Sequence, residues 1–354
     1  MKTQNRIVHY DILRGIAISL MVMANSVASV YTATPPLFMR LMGSFAAPSF
    51  MILAGMMLAM TKTPKPLRGL HVIAMGCLID VALWRIVPFI TFDVLYMIGT
   101  AIVITAYPAR VLSATTLWLS GLFIFLAGQG LQLTLGYQHE IFEIFIPPRA
   151  PLAPISDVVP RVLHQFFIDG WFPLFPWLGF VWTGAALQRS IQAHAKATTS
   201  SVNNISPLPI NWLLYSILSL ILASACWAFN FVTPEPRMGY SELFYAPTVG
   251  FCFTALSVFC VMLFGLQIIT RWQAARFILA PFNSLGQRSL WIYVFHMIAI
   301  EYILLPYFVT PDLTTFLFSA LMLWGCCVLL ARLLIAYTLF NQKKTALHMQ
   351  RSKV

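Results

Sequence analysis

Leu13-Arg14-Gly15-Ile16-Ala17-Ile18-Ser19-Leu20-Met21-Val22-Met23-Ala24-Asn25-Ser26-Val27-Ala28-Ser29-Val30-Tyr31-Thr32 is a run of 20 residues with one charged side chain, at its start. A helix rises about 1.5 Å per residue, so the run is as long as a bilayer's hydrocarbon core is thick. Similar runs recur to the end of the 354-residue chain, which is 59% hydrophobic and 9% charged. A soluble domain carries about 25% charged residues, because its exterior faces water. With a mean hydropathy of +0.80, this chain has the composition of one whose exterior faces lipid. In lipid, backbone polar groups must be satisfied within the spanning structure, which restricts spans to helices and closed barrels. The runs are long and uninterrupted rather than short and alternating as barrel strands are. The expected fold is therefore all-α, a polytopic membrane bundle of about ten transmembrane helices forming a single domain.

Spans are expected near 13–32, 43–61, 69–88, 91–108, 114–134, 171–188, 210–232, 246–269, 289–309 and 314–339. The first is expected to remain in place as a span. It lacks a small-residue cleavage site, and Asp11 and Arg14 interrupt its start, unlike a signal peptide. The net charge of +11 points away from nucleic acid, because the cations sit between apolar runs instead of forming a basic face. One set of alternate loops holds Lys2, Arg6, Arg14, Lys62, Lys65, Arg68, Arg110, Arg189, Lys196, Arg271, Arg276, Arg288, Lys343, Lys344, Arg351 and Lys353. The other holds only Arg40, Arg85, Arg149, Arg161 and Arg237. By the positive-inside rule, both termini are expected in the cytoplasm and the chain in the inner membrane.

The segment 135–170, with Pro147, Pro148, Pro151, Pro154 and Pro160, is the longest expected extracytoplasmic loop. That many prolines forbid one continuous helix, and loops of this length in compact proteins are usually functional or disordered. Residues 189–208, rich in Ser, Thr, Asn and Ala, are expected to form a flexible cytoplasmic linker. Cys77, Cys226, Cys252, Cys260, Cys326 and Cys327 all fall in expected spans. They read as small apolar packing residues, and no metal site is expected.

Ionisable groups inside a membrane are costly and so mark function by default. Asp11 and Arg14, three apart, share one helix face and can pair, with Asn25 about three turns deeper. His296 and Glu301 lie together in the ninth span; five positions apart, they do not share an α-helical face. His164 and Asp169 precede Trp171-Phe172-Pro173-Leu174-Phe175-Pro176-Trp177, where two prolines leave backbone groups unpaired, as membranes tolerate at cavities. Asp80 sits inside the third span, with Arg85 and Asp93 in the turn beyond it. Asp80 and Arg85 are also five apart, which favours a partner for Asp80 on another helix. Each group also has a structural reading: a salt bridge, a helix-packing amide, or an interfacial aromatic belt.

Asp11-Ile12-Leu13-Arg14-Gly15-Ile16-Ala17-Ile18, with a polar residue at position 25, resembles the opening of the transmembrane acyltransferases. These include acyltransferase family 3 and the heparan-alpha-glucosaminide N-acetyltransferase group. Phe45-Ala46-Ala47-Pro48-Ser49-Phe50-Met51-Ile52-Leu53-Ala54-Gly55, Phe92-Asp93-Val94-Leu95-Tyr96-Met97-Ile98-Gly99 and Phe172-Pro173-Leu174-Phe175-Pro176-Trp177-Leu178-Gly179 are similar to bacterial relatives of the second group. Ser289-Leu290-Trp291-Ile292-Tyr293-Val294-Phe295-His296 fits both. The resemblance implies transfer of an acyl group, acetyl first among them, from cytoplasmic acyl-CoA to a sugar of an envelope polysaccharide or lipopolysaccharide on the far side. Its partners would be membrane lipids, acyl-CoA and a glycan acceptor, with an oligomer possible.

The sequence differs from the pattern in one place. Acyltransferase family 3 has a histidine where this chain has Asn25, and the heparan group has its histidine in the following loop; here 26–50 contains none. The base then falls to His296, whose depth excludes water from the thioester, or to His164, which a bulky sugar reaches more easily. Asp169 would support the base, and Asn25 could donate to an acyl oxyanion. Asp11, Arg14, Arg85, Asp93, Trp177, Glu301 and Arg288 are the expected substrate-binding residues. The alternative reading is a non-catalytic acyltransferase-like scaffold or a transporter of a polar lipid or glycan.

Overall fold

The computed structural model describes residues 7–149, 154–199, 210–228, 237 and 242–351. Its elements are α1 (Val8–Val30), α2 (Leu37–Ser44), α3 (Ala46–Met60), α4 (Leu67–Ile79), α5 (Val94–Thr105), α6 (Pro108–Val111), α7 (Ala114–Leu135), α8 (Ile155–His164), α9 (Leu174–Thr199), α10 (Ile210–Ala228), α11 (Val249–Ile269), α12 (Gln273–Ile278), α13 (Ala280–Gln287), α14 (Ser289–Ala299), α15 (Leu305–Tyr307) and α16 (Leu313–Arg351). α4, α8 and α14 each run on into a wider π-helical turn, at Asp80–Trp84, Gln165–Asp169 and Ile300–Leu304. Among the described residues there is no β-strand, only isolated bridges.

Each of the ten expected spans overlaps a helix. Seven segments are long and apolar enough to cross a membrane: Val8–Val30, Leu37–Met60, Leu67–Trp84, Ala114–Leu135, Val249–Ile269, Ser289–Tyr307 and Leu313–Gln342. Val94–Thr105 and Leu213–Cys226 are shorter apolar helices. The outward faces confirm the membrane class: on α7, Leu119, Phe123 and Leu126 are 63%, 68% and 59% exposed. Large apolar side chains stand outside where a water-soluble helix would place charge, as lipid contact requires.

Three expectations change. The fourth span, expected over 91–108, is helical only from Val94 to Thr105, because Asp93 takes the N-cap position and Pro108 starts a separate turn. The flexible linker is helix up to Thr199: Ala193, Ala195 and Ala197 in this stretch are strong helix formers, and α9 simply continues. The tenth helix runs on to Arg351 instead of stopping near 339. Residues 200–208 of the linker, the seventh span beyond Ala228, Pro151, and Lys2, Arg6 and Lys353 lie outside the described residues.

The chain divides into two compact units, Met1–Ala46 with Gly265–Val354, and Ala47–Phe264. In the first, α1 is central. A Cβ on Gly15 would overlap the Phe282 carbonyl, and one on Gly286 would overlap that of Asp11, so α1 and α13 touch backbone to backbone through two glycines. Small residues allow that approach, which is how helices associate where no water drives them together. Ser19 accepts a 2.8 Å hydrogen bond from Trp324 Nε1 on α16 and donates its own proton to the Gly15 carbonyl.

In the second unit α9 is the axis. Trp177, Phe180, Val181, Ala185 and Ala186 are fully buried along it. Cβ atoms on Gly55 and Gly184 would overlap the backbone of α9 and α3 respectively. α7 is capped by Ser113, whose Oγ accepts the Thr116 amide at 3.0 Å, and ends at Gly136 with φ +83°. The turn after α4 is strained: Arg85, Phe89 and Phe92 have φ of 54°, 70° and 48°, a region costly for bulky side chains.

Candidate functional site

In the first unit, Arg14 Nη1 donates to Asp11 Oδ1 at 3.1 Å and to the Gly286 carbonyl at 3.4 Å. The expected pair therefore exists, and it faces the α1–α13 contact. Three turns along α1, the Asn25 Nδ2 group lies 3.0 Å from His296 Nε2 and 3.3 Å from Met297 Sδ. His296 Nδ1 lies 3.0 Å from the Ile292 carbonyl. A carbonyl requires a proton on Nδ1, which leaves Nε2 as the acceptor of the Asn25 amide. Both nitrogens are thus satisfied, and the ring is wholly buried. Glu301 lies one turn on, half-buried in the π-helical turn, and no hydrogen bond joins it to His296. Arg288, expected in a cytoplasmic loop, donates to the Leu334 carbonyl at 3.2 Å and to Thr338 Oγ1 at 2.5 Å, tying the start of α14 to α16.

In the second unit, Asp80 has the cross-helix partner its burial demands: Tyr96 on α5 donates to its Oδ2 at 2.5 Å. Arg85 is exposed, and its carbonyl accepts the Ile146 amide at 2.7 Å. Asp93 sits at the N-cap of α5, where its carbonyl accepts the Met97 amide at 3.1 Å. Trp177 lies wholly inside, ringed by Phe172, Phe180, Phe244 and Phe251, and its Nε1 has no hydrogen-bond partner among the described residues.

The other cluster of the second unit is built on the π-helical turn after α8. His164 Nδ1 lies 2.8 Å from Asp169 Oδ2. These residues are five apart, a spacing that an α-helix would place on different faces. A π-helical turn closes its hydrogen bonds from i to i+5, so positions five apart stack, and the Gly170 amide bonding back to the Gln165 carbonyl at 2.8 Å closes this one. The side chain of His164 is 23% exposed and that of Asp169 only 2%. The Nδ1–Oδ2 approach is close but off the hydrogen-bond axis. Asp169 Oδ2 also accepts the Gln138 amide at 3.1 Å, while Oδ1 is buried without a hydrogen-bond partner among the described residues. His164 Nε2 meets only the Leu135 carbonyl, at 3.4 Å.

Three contributors to this cluster lie outside the candidates drawn from sequence. Gln165 accepts the Phe142 amide at 2.5 Å and donates to the carbonyls of Ile90 and Phe142, holding two separate backbone segments. Tyr137 has its hydroxyl buried without a hydrogen-bond partner among the described residues. Arg237, expected to be an ordinary loop cation, is 1% exposed. Its Nε donates to the His139 carbonyl at 2.7 Å, Nη1 to Gly170 at 3.1 Å, and Nη2 to Asp169 at 2.8 Å and to Gln138. The rings of Tyr137, Trp171 and Tyr245 surround its guanidinium at 5.2, 5.4 and 5.6 Å. The one available signal was its isolation: it is the sole cation between Lys196 and Arg271.

These features define a multi-pass membrane protein in which buried polar pairs, among them a carboxylate–imidazole pair, are held by tightly packed apolar helices. Residues 6–222 match the family model described as heparan-alpha-glucosaminide N-acetyltransferase, catalytic, and the chain belongs to that family. The match includes Asp11, Arg14, Asn25, Asp80, His164 and Asp169, and ends before Arg237 and His296. A comparison with curated proteins gave no match.

Proposed function

We propose that the protein is an acyltransferase of the inner membrane. It would take an acyl group, acetyl by family, from acyl-CoA on the cytoplasmic side and pass it to a sugar of an envelope polysaccharide or lipopolysaccharide on the far side. The single observation that carries this reading is the His164–Asp169 pair inside the family-matched segment: a carboxylate 2.8 Å from Nδ1, and an Nε2 held only by a long 3.4 Å approach to the Leu135 carbonyl among the described residues. A carboxylate there favours the tautomer protonated on Nδ1 and leaves the Nε2 lone pair free, the arrangement of a general base.

In the proposed reaction, Nε2 takes the proton of the acceptor hydroxyl or amine as its oxygen or nitrogen attacks the thioester carbonyl. The C–S bond then breaks, and the CoA sulfur departs with a proton. Asp169 balances the charge of the imidazolium, and the Leu135 carbonyl offers a place for its new Nε2 proton. His164 supports this role better than His296, whose two nitrogens are engaged and whose ring is sealed. The Asn25–His296 pair then acts as a clamp between α1 and α14. Both termini are assigned to the cytoplasm from the Lys and Arg distribution, which puts the 136–170 segment on the acceptor side.

Mass spectrometry of envelope glycans from cells with and without the gene, and with His164→Ala, tests this function. An acyl group lost with the gene and restored by wild type but not by His164→Ala supports it. Glycans unchanged by loss of the gene would replace it with the scaffold or transporter reading.

A further inference from the structure

Arg237 lies 68 residues beyond Asp169 in sequence, yet its guanidinium joins the two backbone stretches from which the His164–Asp169 pair is assembled. On one side it binds the carbonyls of Gln138 and His139, and on the other those of Asp169 and Gly170. The stretch it grips at 138 supplies the amide that holds Asp169 Oδ2. The stretch it grips at 169 carries the carboxylate itself. Among the described residues, Nε and both terminal nitrogens are therefore engaged with carbonyls alone. Only a planar fork meets four carbonyls at once; a lysine ammonium carries the same charge without that geometry. Three rings close round it, so the charge is buried, and its partners are backbone dipoles that cannot swing away.

We infer that Arg237 is a positioning residue for the acyl-transfer reaction: it fixes the Gln138 amide against Asp169 and thereby holds the Asp169 carboxylate behind His164 Nδ1. Arg237 touches neither acceptor nor donor. The inference rests on the His164–Asp169 reading of the site. It makes a residue beyond the family-matched segment part of the catalytic apparatus, since without Arg237 the Gln138 amide that bonds Oδ2 loses its tie to the Asp169–Gly170 backbone.

The test is a double-mutant cycle in membrane vesicles supplied with radiolabelled acetyl-CoA, following label transfer to endogenous glycan and normalising to inserted protein. Arg237→Lys, Asp169→Ala and the double variant are compared, since residues that act through one another lose activity non-additively. Arg237→Lys is expected to lower kcat by about tenfold to a hundredfold with KM for acetyl-CoA unchanged. The double variant is expected to be no slower than Asp169→Ala alone. A purely structural role would instead multiply the two losses, and multiplication overturns the inference, as does an Arg237→Lys enzyme of wild-type kcat. Should Arg237→Lys fail to insert, Trp171→Leu strips one ring from the guanidinium and leaves its hydrogen bonds; the same cycle with Asp169→Ala then decides. If Asp169→Ala and His164→Ala are themselves as fast as wild type, the reading of the site fails, which is a different outcome from additivity within a working site.

Discussion

Asp169→Asn separates two things the carboxylate does for His164. Asp169 Oδ2 accepts the Gln138 amide at 3.1 Å and faces His164 Nδ1 at 2.8 Å. An asparagine must place its oxygen there, because its NH2 would meet the Gln138 N–H donor head-on. The NH2 then occupies the place of Oδ1, which has no partner to lose. Asp169→Asn therefore keeps an oxygen beside Nδ1 and removes only the charge. Two unit charges 2.8 Å apart attract by about 1.5 kcal/mol in water and about 6 kcal/mol at an effective dielectric of 20. The histidine is 23% exposed and the carboxylate 2%, so a value near 3 kcal/mol fits, or roughly a hundredfold in rate. Asp169→Ala loses the oxygen beside Nδ1 as well and should fall toward the full effect of removing a general base, about ten-thousand-fold. The assay is label transfer from acetyl-CoA to envelope glycan in membrane vesicles, with inserted protein quantified by immunoblot. Asparagine and alanine variants both within threefold of wild type would refute the carboxylate's role. An asparagine variant as slow as alanine would refute the claim that Gln138 orients it.

Gly286→Ala should destabilise the protein in detergent by about 1–3 kcal/mol, because its Cβ meets the Asp11 carbonyl; a lowered thermal midpoint checks this. Asn25→Leu should cost about 1–3 kcal/mol, since buried His296 Nε2 loses its donor, while transfer activity per folded molecule stays near wild type; a hundredfold loss of activity would restore His296 to the chemistry. The Asp312 carboxyl is held below its usual 3.8 by the Thr315 amide, which bonds to it at 2.7 Å. A lowered carboxylate value adds stability at higher pH that disappears as pH falls through it, so the amide protection of Thr315 should drop below pH 3.8 and not above it. Reporters placed after Val354 and near Ala195 should read cytoplasmic, and one near Ala150 extracytoplasmic; any reversal breaks the assigned orientation.

The spans were legible because lipid imposes one rule along the whole length, and long apolar runs such as Leu13–Thr32 and Val249–Ile269 leave no other way to satisfy their backbone. Asp11–Arg14 was legible because a spacing of three has one meaning on an α-helix. The His164–Asp169 pairing was visible only as proximity in sequence. Its spacing of five denies contact under the α-helical period, and nothing in Gln165-Phe166-Phe167-Ile168 announces a π-helical turn. Arg237 was illegible for another reason: its partners are backbone carbonyls far away in sequence, and carbonyls carry no signature in residue identity. Nor could the spacing of Asn25 and His296, 271 residues apart, be read without knowing that α1 and α14 are neighbours.

The turn at Gln165–Asp169 has a consequence for how this family can change. A π-helical turn holds one more residue than the α-helical turn it replaces, so a single deletion among Phe166, Phe167 and Ile168 would relax the helix to the ordinary period without cutting it. About 100° of rotation accompanies each residue removed. The imidazole and the carboxylate would then stand four apart, a spacing that an α-helix keeps on one face, so the pair would survive while Gly170 and the segment after it turned relative to α8. Substitution scans cannot reach that change. An insertion–deletion event can, and one codon suffices to re-aim α8 against the segment that follows it without separating the pair.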